Sequence, residues 1–276
     1  MVYSGGYMEL QIEDIKSTSL EVLKQIHEIC VNENIKYSLA YGTLLGAYRH
    51  KGFIPWDDDI DIVMLREDYD RFSEYCSCHD TPFSFKSVTT DDKYHYLFAK
   101  ACNKKTIVEE LYGNRNDCDL GVYVDIFPID FIGDTEEVAI KELSKTRLLR
   151  SLLVAYNWKT YFRSNTSRWY VEPFRFLFFI ISRFININNV EKKILKHYSN
   201  NTKTKYVANS VDNTYGNREI FLFDLFNDYT LIEFENFKFY SISNYDEYLR
   251  KLYGNYMELP PIEKRVTHHT FLAKWK

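Results

Sequence analysis

The spacing of apolar side chains divides the chain into two textures. Leu20, Leu23, Ile26 and Cys30 recur at helical spacing, which predicts an amphipathic helix over about residues 10–32. Residues 37–41 read as a short strand running into Gly42-Thr43, residues 44–50 as one or two helical turns, and 51–56 as a loop. Asp59-Ile60-Asp61-Ile62-Val63-Met64 alternates, which predicts a strand with one acidic and one apolar face. A helix is expected over about 67–76, with strands at 94–101 and 121–127, the latter ended by Pro128. This part of the chain is mixed α/β.

Beyond residue 134 the period becomes mostly helical as far as about residue 200. Short strands return at 206–211, 229–234 and 237–240, followed by a helix over 245–253 stopped by Gly254. The pattern therefore suggests three segments, 1–133, 134–205 and 206–276, within one compact unit. Charge sharpens the middle one. Between residues 141 and 196 twelve Lys and Arg face only Glu142, Glu172 and Glu191, a basic block inside a chain of net charge −4. Within it Phe174, Leu177, Phe178, Ile180 and Ile181 lie among Arg168, Arg175 and Arg183. Residues 168–187 thus read as a candidate peripheral membrane contact, or else as a core helix with snorkelling arginines.

With 45% hydrophobic and 27% charged residues the composition is that of a globular chain. The absence of a global basic excess argues against nucleic acid as a partner. Cys30, Cys76, Cys78, Cys102 and Cys118 show no regular spacing and read as reduced thiols. The first ten residues lack a signal-peptide pattern, and no run of 18 apolar residues occurs. The expected location is cytoplasmic, at the inner face of the cell membrane if 168–187 touches lipid.

Chemistry concentrates at Asp57, Asp58, Asp59 and Asp61. On an extended backbone Asp57, Asp59 and Asp61 share a face while Ile60, Ile62 and Met64 pack inward. Each close carboxylate pair costs on the order of 4 kcal/mol at an effective dielectric of about 20. A proton or a divalent cation must relieve that repulsion, and an all-oxygen set suits Mg²⁺ or Mn²⁺. A solvated acidic turn is the plainer alternative, but such a turn needs no alternating apolar strand around it. Upstream, Gly42-Thr43 opens a helix and offers free N–H groups to a phosphate. Arg49, His50 and Lys51 lie between the two features, either as a pyrophosphate clamp or as a basic helix end. On the strand over 121–127, Asp125 falls between Tyr123 and Phe127 and must be paired or metal-bound.

The order of phosphate loop and Asp-Ile-Asp strand is similar to that of the polymerase-β type of nucleotidyltransferase fold. The stretch Tyr41-Gly-Thr-Leu-Leu-Gly-Ala-Tyr-Arg-His-Lys-Gly-Phe-Ile-Pro-Trp-Asp-Asp-Asp-Ile-Asp-Ile62 resembles more closely the signature of the LicD family of phosphotransferases, relatives of fukutin and fukutin-related protein. Gly121-Val-Tyr-Val-Asp-Ile-Phe-Pro-Ile-Asp130 and Leu259-Pro-Pro-Ile-Glu-Lys-Arg-Val-Thr-His-His269 resemble it as well. The resemblance implies a nucleotidyltransferase-like catalytic core over 1–133, a helical basic insertion, and a C-terminal α/β segment packing back on the core.

It also implies an activity. A CDP-activated donor would pass phosphocholine, glycerol phosphate or ribitol phosphate to a sugar hydroxyl of a surface or lipid-linked glycan, releasing CMP. Polysaccharide, capsule or teichoic acid synthesis would be the setting. The family's metal-binding carboxylates carry over to Asp57, Asp59, Asp61 and Asp125, with Asp59, Asp61 and Asp125 catalytic. Gly42 and Thr43 carry over as phosphate contacts, and His268 is a further candidate beside phosphate or metal. Nucleotidyl transfer from a nucleoside triphosphate would share the site and differ only in which phosphorus is attacked, releasing pyrophosphate. Two further functions compete. The Asp-x-Asp triplets also suit a nucleotide-sugar glycosyltransferase, and a glycan-binding module could hold a structural cation there. The first would release a nucleoside diphosphate. The second would bind no nucleotide in a metal-dependent way.

Overall fold

A computed structural model describes residues 3–4, 7–163, 169–198, 202–212, 214–265 and 271–276. Two short strands, β1 (Tyr3–Ser4) and β2 (Tyr7–Met8), precede helix α1 (Ile12–Asn32). The helix buries Leu23, Ile26 and Cys30 of the stripe that the pattern marks, together with Ile15 and Val22, and leaves Leu20 half-buried. Strand β3 (Ser38–Leu39) is shorter than expected, because helix α2 (Tyr41–His50) begins before Gly42. Gly42 and Thr43 consequently lie inside the first turn of α2. Strand β4 (Asp61–Leu65) begins two residues later than the pattern places it, leaving Asp59 and Ile60 in the preceding loop, and helix α3 (Arg66–Cys78) follows about where expected.

Next come β5 (Phe83–Lys86), β6 (Ala99–Asn103), β7 (Thr106–Glu110) and the long β8 (Tyr123–Gly133). β8 is the axis of a mixed sheet. It pairs in parallel with β4 along one edge, while β6 and then β9 (Tyr206–Asn209) pair antiparallel along the other. Pro128 does not end β8, contrary to the sequence expectation. On the divided edge the last β6 pair is Ala99 with Ile126, and the first β9 pair is Ile129 with Asn209. Pro128 falls in the gap between them, where a missing N–H leaves no ladder acceptor unmet.

The basic middle segment forms α4 (Glu136–Asn157), α5 (Glu172–Ser182) and α6 (Ile187–Tyr198). Of α5 only Ser182 is buried, whereas Phe174, Phe176, Leu177, Ile180 and Ile181 are exposed, as is Phe184 just beyond. The core-helix alternative therefore does not describe this segment. Its arginines do not snorkel either. Arg175 pairs with Glu172 at 2.8 Å, and Arg183 donates to the Tyr156 carbonyl at 3.0 Å and to that of Trp158, closing the free end of α4. Arg168 lies outside the described residues. No helix among the described residues is long and apolar enough to cross a membrane.

The C-terminal part adds β10 (Ile220–Leu222), the hairpin β11 (Tyr229–Phe234) with β12 (Phe237–Ile242), helix α7 (Tyr245–Tyr253) and β13 (Phe271–Trp275). The hairpin turns on Glu235 and Asn236, both at positive φ, as a tight turn between twisted strands requires. β13 returns to pair with β7. One apolar core takes Leu23 and Ile62 from the first segment, Leu143 and Ile194 from the second, and Val207 and Leu249 from the third.

Candidate active site

The parallel register of β4 and β8 sets Asp61 directly beside Asp125. The Asp125 N–H donates to the Ile60 carbonyl at 2.9 Å, which extends the ladder just ahead of β4. Register partners in one sheet point to the same face, so residues 64 positions apart in the chain present adjacent carboxylates. From β6, on the opposite edge, Lys100 is the register partner of Asp125. Its Nζ donates to Asp125 Oδ1 at 2.7 Å and sits 3.4 Å from the Tyr123 ring centroid. Asp125 thus finds in Lys100 the partner that its burial demands.

Asp57 and Asp59 reach the same place from the loop before β4. The Asp57 carboxyl, pushed up to about 8 by burial and then by the charge of Asp59, donates a hydrogen bond to Asp59. Burial raises Asp59 too, while that hydrogen bond works against the rise. Asp61 is driven well above the usual carboxylate range by burial and by Asp59 and Asp125. Asp125 is raised only to about 6, since burial is opposed by Lys100. Solvent still reaches these groups: Asp59 is exposed and the other three are half-buried. They are crowded by protein atoms yet reached by water.

Among the described residues no three His, Cys, Asp or Glu side chains converge into a ready-made metal cage. Asp125 is engaged by Lys100, so the four carboxylates expected as ligands are not gathered as one set. Mg²⁺ ordinarily takes one or two carboxylates and completes its shell with water and substrate phosphates. The repelling pair Asp59 and Asp61, with Asp57 alongside, fits that kind of ion.

Gly42 has a local reason to be glycine. A Cβ at this position would lie 2.5 Å from Asp57 Oδ2, so the missing side chain makes room for the carboxylate. Thr43 is buried, and its Oγ1 accepts from the Asp61 N–H at 2.8 Å. It ties the start of α2 to the start of β4. Tyr41, at φ +45°, turns the chain into α2 in the left-handed region, a conformation that costs a non-glycine residue roughly 1–3 kcal/mol. Buried partners hold it there. Tyr41 Oη donates to Glu219 Oε2 at 3.0 Å and accepts from Asn209 Nδ2 at 2.8 Å, and its ring stacks on Tyr215.

Burial, then the charge of Asp212, lifts Glu219 from 4.5 to about 7. A carboxyl raised by folding favours the folded state most when protonated, below its unfolded pKa. That contribution is lost as pH rises through about 7. The rise in its pKa corresponds to about 3 kcal/mol. Urea denaturation from pH 4.5 to 8 is therefore expected to show a decline in stability that Glu219→Gln flattens. Parallel curves for the two proteins would remove Glu219 as its source.

The basic residues cluster at the far end of α2. Arg49 donates to His50 Nε2 at 2.9 Å and to the Tyr256 carbonyl at 2.9 Å. Burial and then the charge of Arg265 depress it, which places Arg265 beside it. Arg265 also lies over the Trp56 ring at 5.5 Å. Lys51 is exposed in the left-handed cap of α2, and its carbonyl accepts from the Glu235 N–H at 2.8 Å. His268 lies outside the described residues. Sequence reading missed Lys100 and Arg265 as site residues. A lone lysine in the apolar run Leu97 to Cys102, and an arginine inside the third motif, were the available signals.

Residues 34–148 match the family model described as "LicD/FKTN/FKRP, nucleotidyltransferase domain". The lipopolysaccharide cholinephosphotransferase LicD of Haemophilus influenzae is 29% identical over 283 aligned residues, covering 95% of this chain and 97% of that protein. Residues 34–148 thus carry a domain of the LicD family, and the likeness to the cholinephosphotransferase runs over nearly the whole chain. An uncharacterized protein of Rickettsia typhi is similar too, 31% identical over 133 residues, 48% of this chain and 41% of its own length. The LicD match spans α2, β4 and β8, so Asp57, Asp59, Asp61, Lys100 and Asp125 all fall within it.

Proposed function

We propose that this LicD-family enzyme transfers a phospho-alcohol from a CDP-activated donor to a glycan hydroxyl, releasing CMP. The carrying observation is the Asp61–Asp125 register pair, with Asp59 nearby and Lys100 on Asp125. Phosphocholine is favoured over glycerol phosphate and ribitol phosphate by the likeness to a cholinephosphotransferase. The polymerase-β type of core belongs to the same reading.

Asp59 and Asp61, with Asp57 beside them, would hold Mg²⁺ or Mn²⁺, which neutralises charge on the donor pyrophosphate when bound. Asp125 orients the acceptor hydroxyl and takes its proton. The hydroxyl oxygen bonds to the phosphorus that carries the alcohol. The bond from that phosphorus to CMP breaks, and CMP leaves with the electron pair. Arg49 and Arg265 hold the nucleotide phosphates, and Gly42 keeps the backbone of α2 clear of Asp57.

Incubation with CDP-choline, CDP-glycerol and CDP-ribitol should release CMP from one donor, with Mg²⁺ and not with EDTA. Release of pyrophosphate from a nucleoside triphosphate, or of a nucleoside diphosphate from a nucleotide sugar, would sink the reading. The acceptor side includes a lipid-linked glycan and contact with the inner face of the membrane through 168–187. The exposed apolar side chains of α5 and the positive excess of the middle segment support that contact. Co-sedimentation with phosphatidylglycerol vesicles at low salt is the expected outcome, and a protein that stays in the supernatant argues against it.

A further inference from the structure

Two cavities among the described residues lie away from the Asp57, Asp59, Asp61 and Asp125 carboxylates. One of about 640 Å³ opens between α4 and α5, and one of about 360 Å³ lies on the other side of Val154. They share Arg150, Val154, Trp158 and Asp212 as walls. The first is lined by Leu143, Val171, Phe174 and Phe178, with Arg147 and Arg175 at its edge. The second reaches Tyr96 and Phe98, whose ring centroids lie 5.6 and 5.2 Å from Lys100 Nζ. The pair of cavities therefore leads from the exposed face of α5 towards the lysine that holds Asp125.

Arg150 is the unusual element of this wall. It is 7% exposed, and burial depresses its pKa. Its guanidinium donates to the Ser210 carbonyl at 3.1 Å and to the Leu143 carbonyl at 3.0 Å, but its Nε is buried with no hydrogen-bond partner. No carboxylate among the described residues forms an ion pair with it. Asp212, in the same walls, accepts from the Thr214 hydroxyl at 2.8 Å and acts on Arg150 through its charge without a direct hydrogen bond. Glu219 also acts on it by charge, but neither is in ion-pair contact. A buried guanidinium with a free donor beside an apolar wall is suited to an anion carried on a hydrocarbon.

We propose that the α4–α5 cavities bind the anionic end of an amphiphile, with a phosphate at Arg147 and Arg150 and the chain along Trp158, Phe174 and Phe178. The exposed apolar face of α5 gives the chain its exit. As an acceptor, such a molecule would be a phosphate-bearing lipid-linked glycan. That identity rests on the proposed transfer, whereas the binding site does not.

Calorimetry with dodecyl phosphate below its micelle concentration is expected to show one site per chain. Inorganic phosphate alone should bind at least ten-fold more weakly, and so should dodecyl maltoside, which has the tail without the charge. Val154→Trp, at an exposed position in both walls, should weaken dodecyl phosphate binding at least ten-fold. Arg147→Ala should weaken the phosphate and leave the maltoside unchanged. Neither variant touches the carboxylates, so CDP-choline hydrolysis in water stays at the parent rate if the transfer reading holds. Four results would overturn the site: no binding, equal binding of the maltoside, equal binding of inorganic phosphate, or full affinity in Val154→Trp. Failure of the transfer reading would show separately, as no CMP in any protein with dodecyl phosphate binding intact.

Discussion

Asp61→Asn is expected to lower CMP release on the order of 10³-fold, the scale on which loss of a charge-stabilising group acts at a reacting centre. Asp59→Asn should do the same. The fold should not suffer. Burial and then the charges of Asp59, Asp125 and Asp57 drive the Asp61 pKa upward, so a neutral amide relieves both and leaves the melting temperature equal or slightly higher. Lys100→Met provides the contrast. It strips Asp125 of its 2.7 Å partner, and the carboxyl, raised already by burial, should then hold its proton further into the neutral range. The pH–rate profile of that variant should shift upward as activity falls. An Asp61→Asn protein that retains turnover, or that unfolds well below the parent temperature, would assign Asp61 a structural role instead.

The alternation of residues 59–64 and of 121–127 was enough to put Asp61 and Asp125 on strand faces, because period-two patterning reports which side chains share a side. Their adjacency was not legible from patterning. Register between strands 64 positions apart depends on the packing of α1, α2 and α3 around them. Lys100 shows the same limit from the other direction. A buried lysine is unremarkable in sequence until β6 sets it against Asp125. The end of β8 was misread because Pro128 was treated as a local breaker, whereas its effect depends on which neighbouring strand needs a donor there. The helices over 12–32 and 245–253 were legible almost to the residue, since amphipathic period and a terminal glycine are local signals. Strand β13, and its pairing with β7, offered too little local signal to be anticipated.

Asp130 lies on β8 and is 1% exposed, and on it rests the largest expected loss of stability. Arg66 Nε donates to Asp130 Oδ1 at 2.6 Å and one terminal nitrogen donates to Oδ2 at 2.9 Å, a two-pronged pair that also takes the Ser210 hydroxyl. Burial acts to lower the Arg66 pKa, but Asp130 more than offsets it and the net shift is upward. The pair joins the first residue of α3 to β8 one position beyond Ile129, the last register partner of β4. It thereby clamps the two strands whose alignment sets Asp61 against Asp125. Asp130→Ala leaves the buried guanidinium only the exposed Asp70, at 3.6 Å, and losing the buried partner costs about 3–5 kcal/mol in such pairs. The double variant Arg66→Met, Asp130→Leu removes both charges and should recover most of that loss. Urea denaturation of the parent, the two single variants and the double variant gives the coupling directly. If Asp130→Ala alone costs less than about 1 kcal/mol, within the range of an exposed ion pair, the clamp is not what keeps β4 and β8 in register.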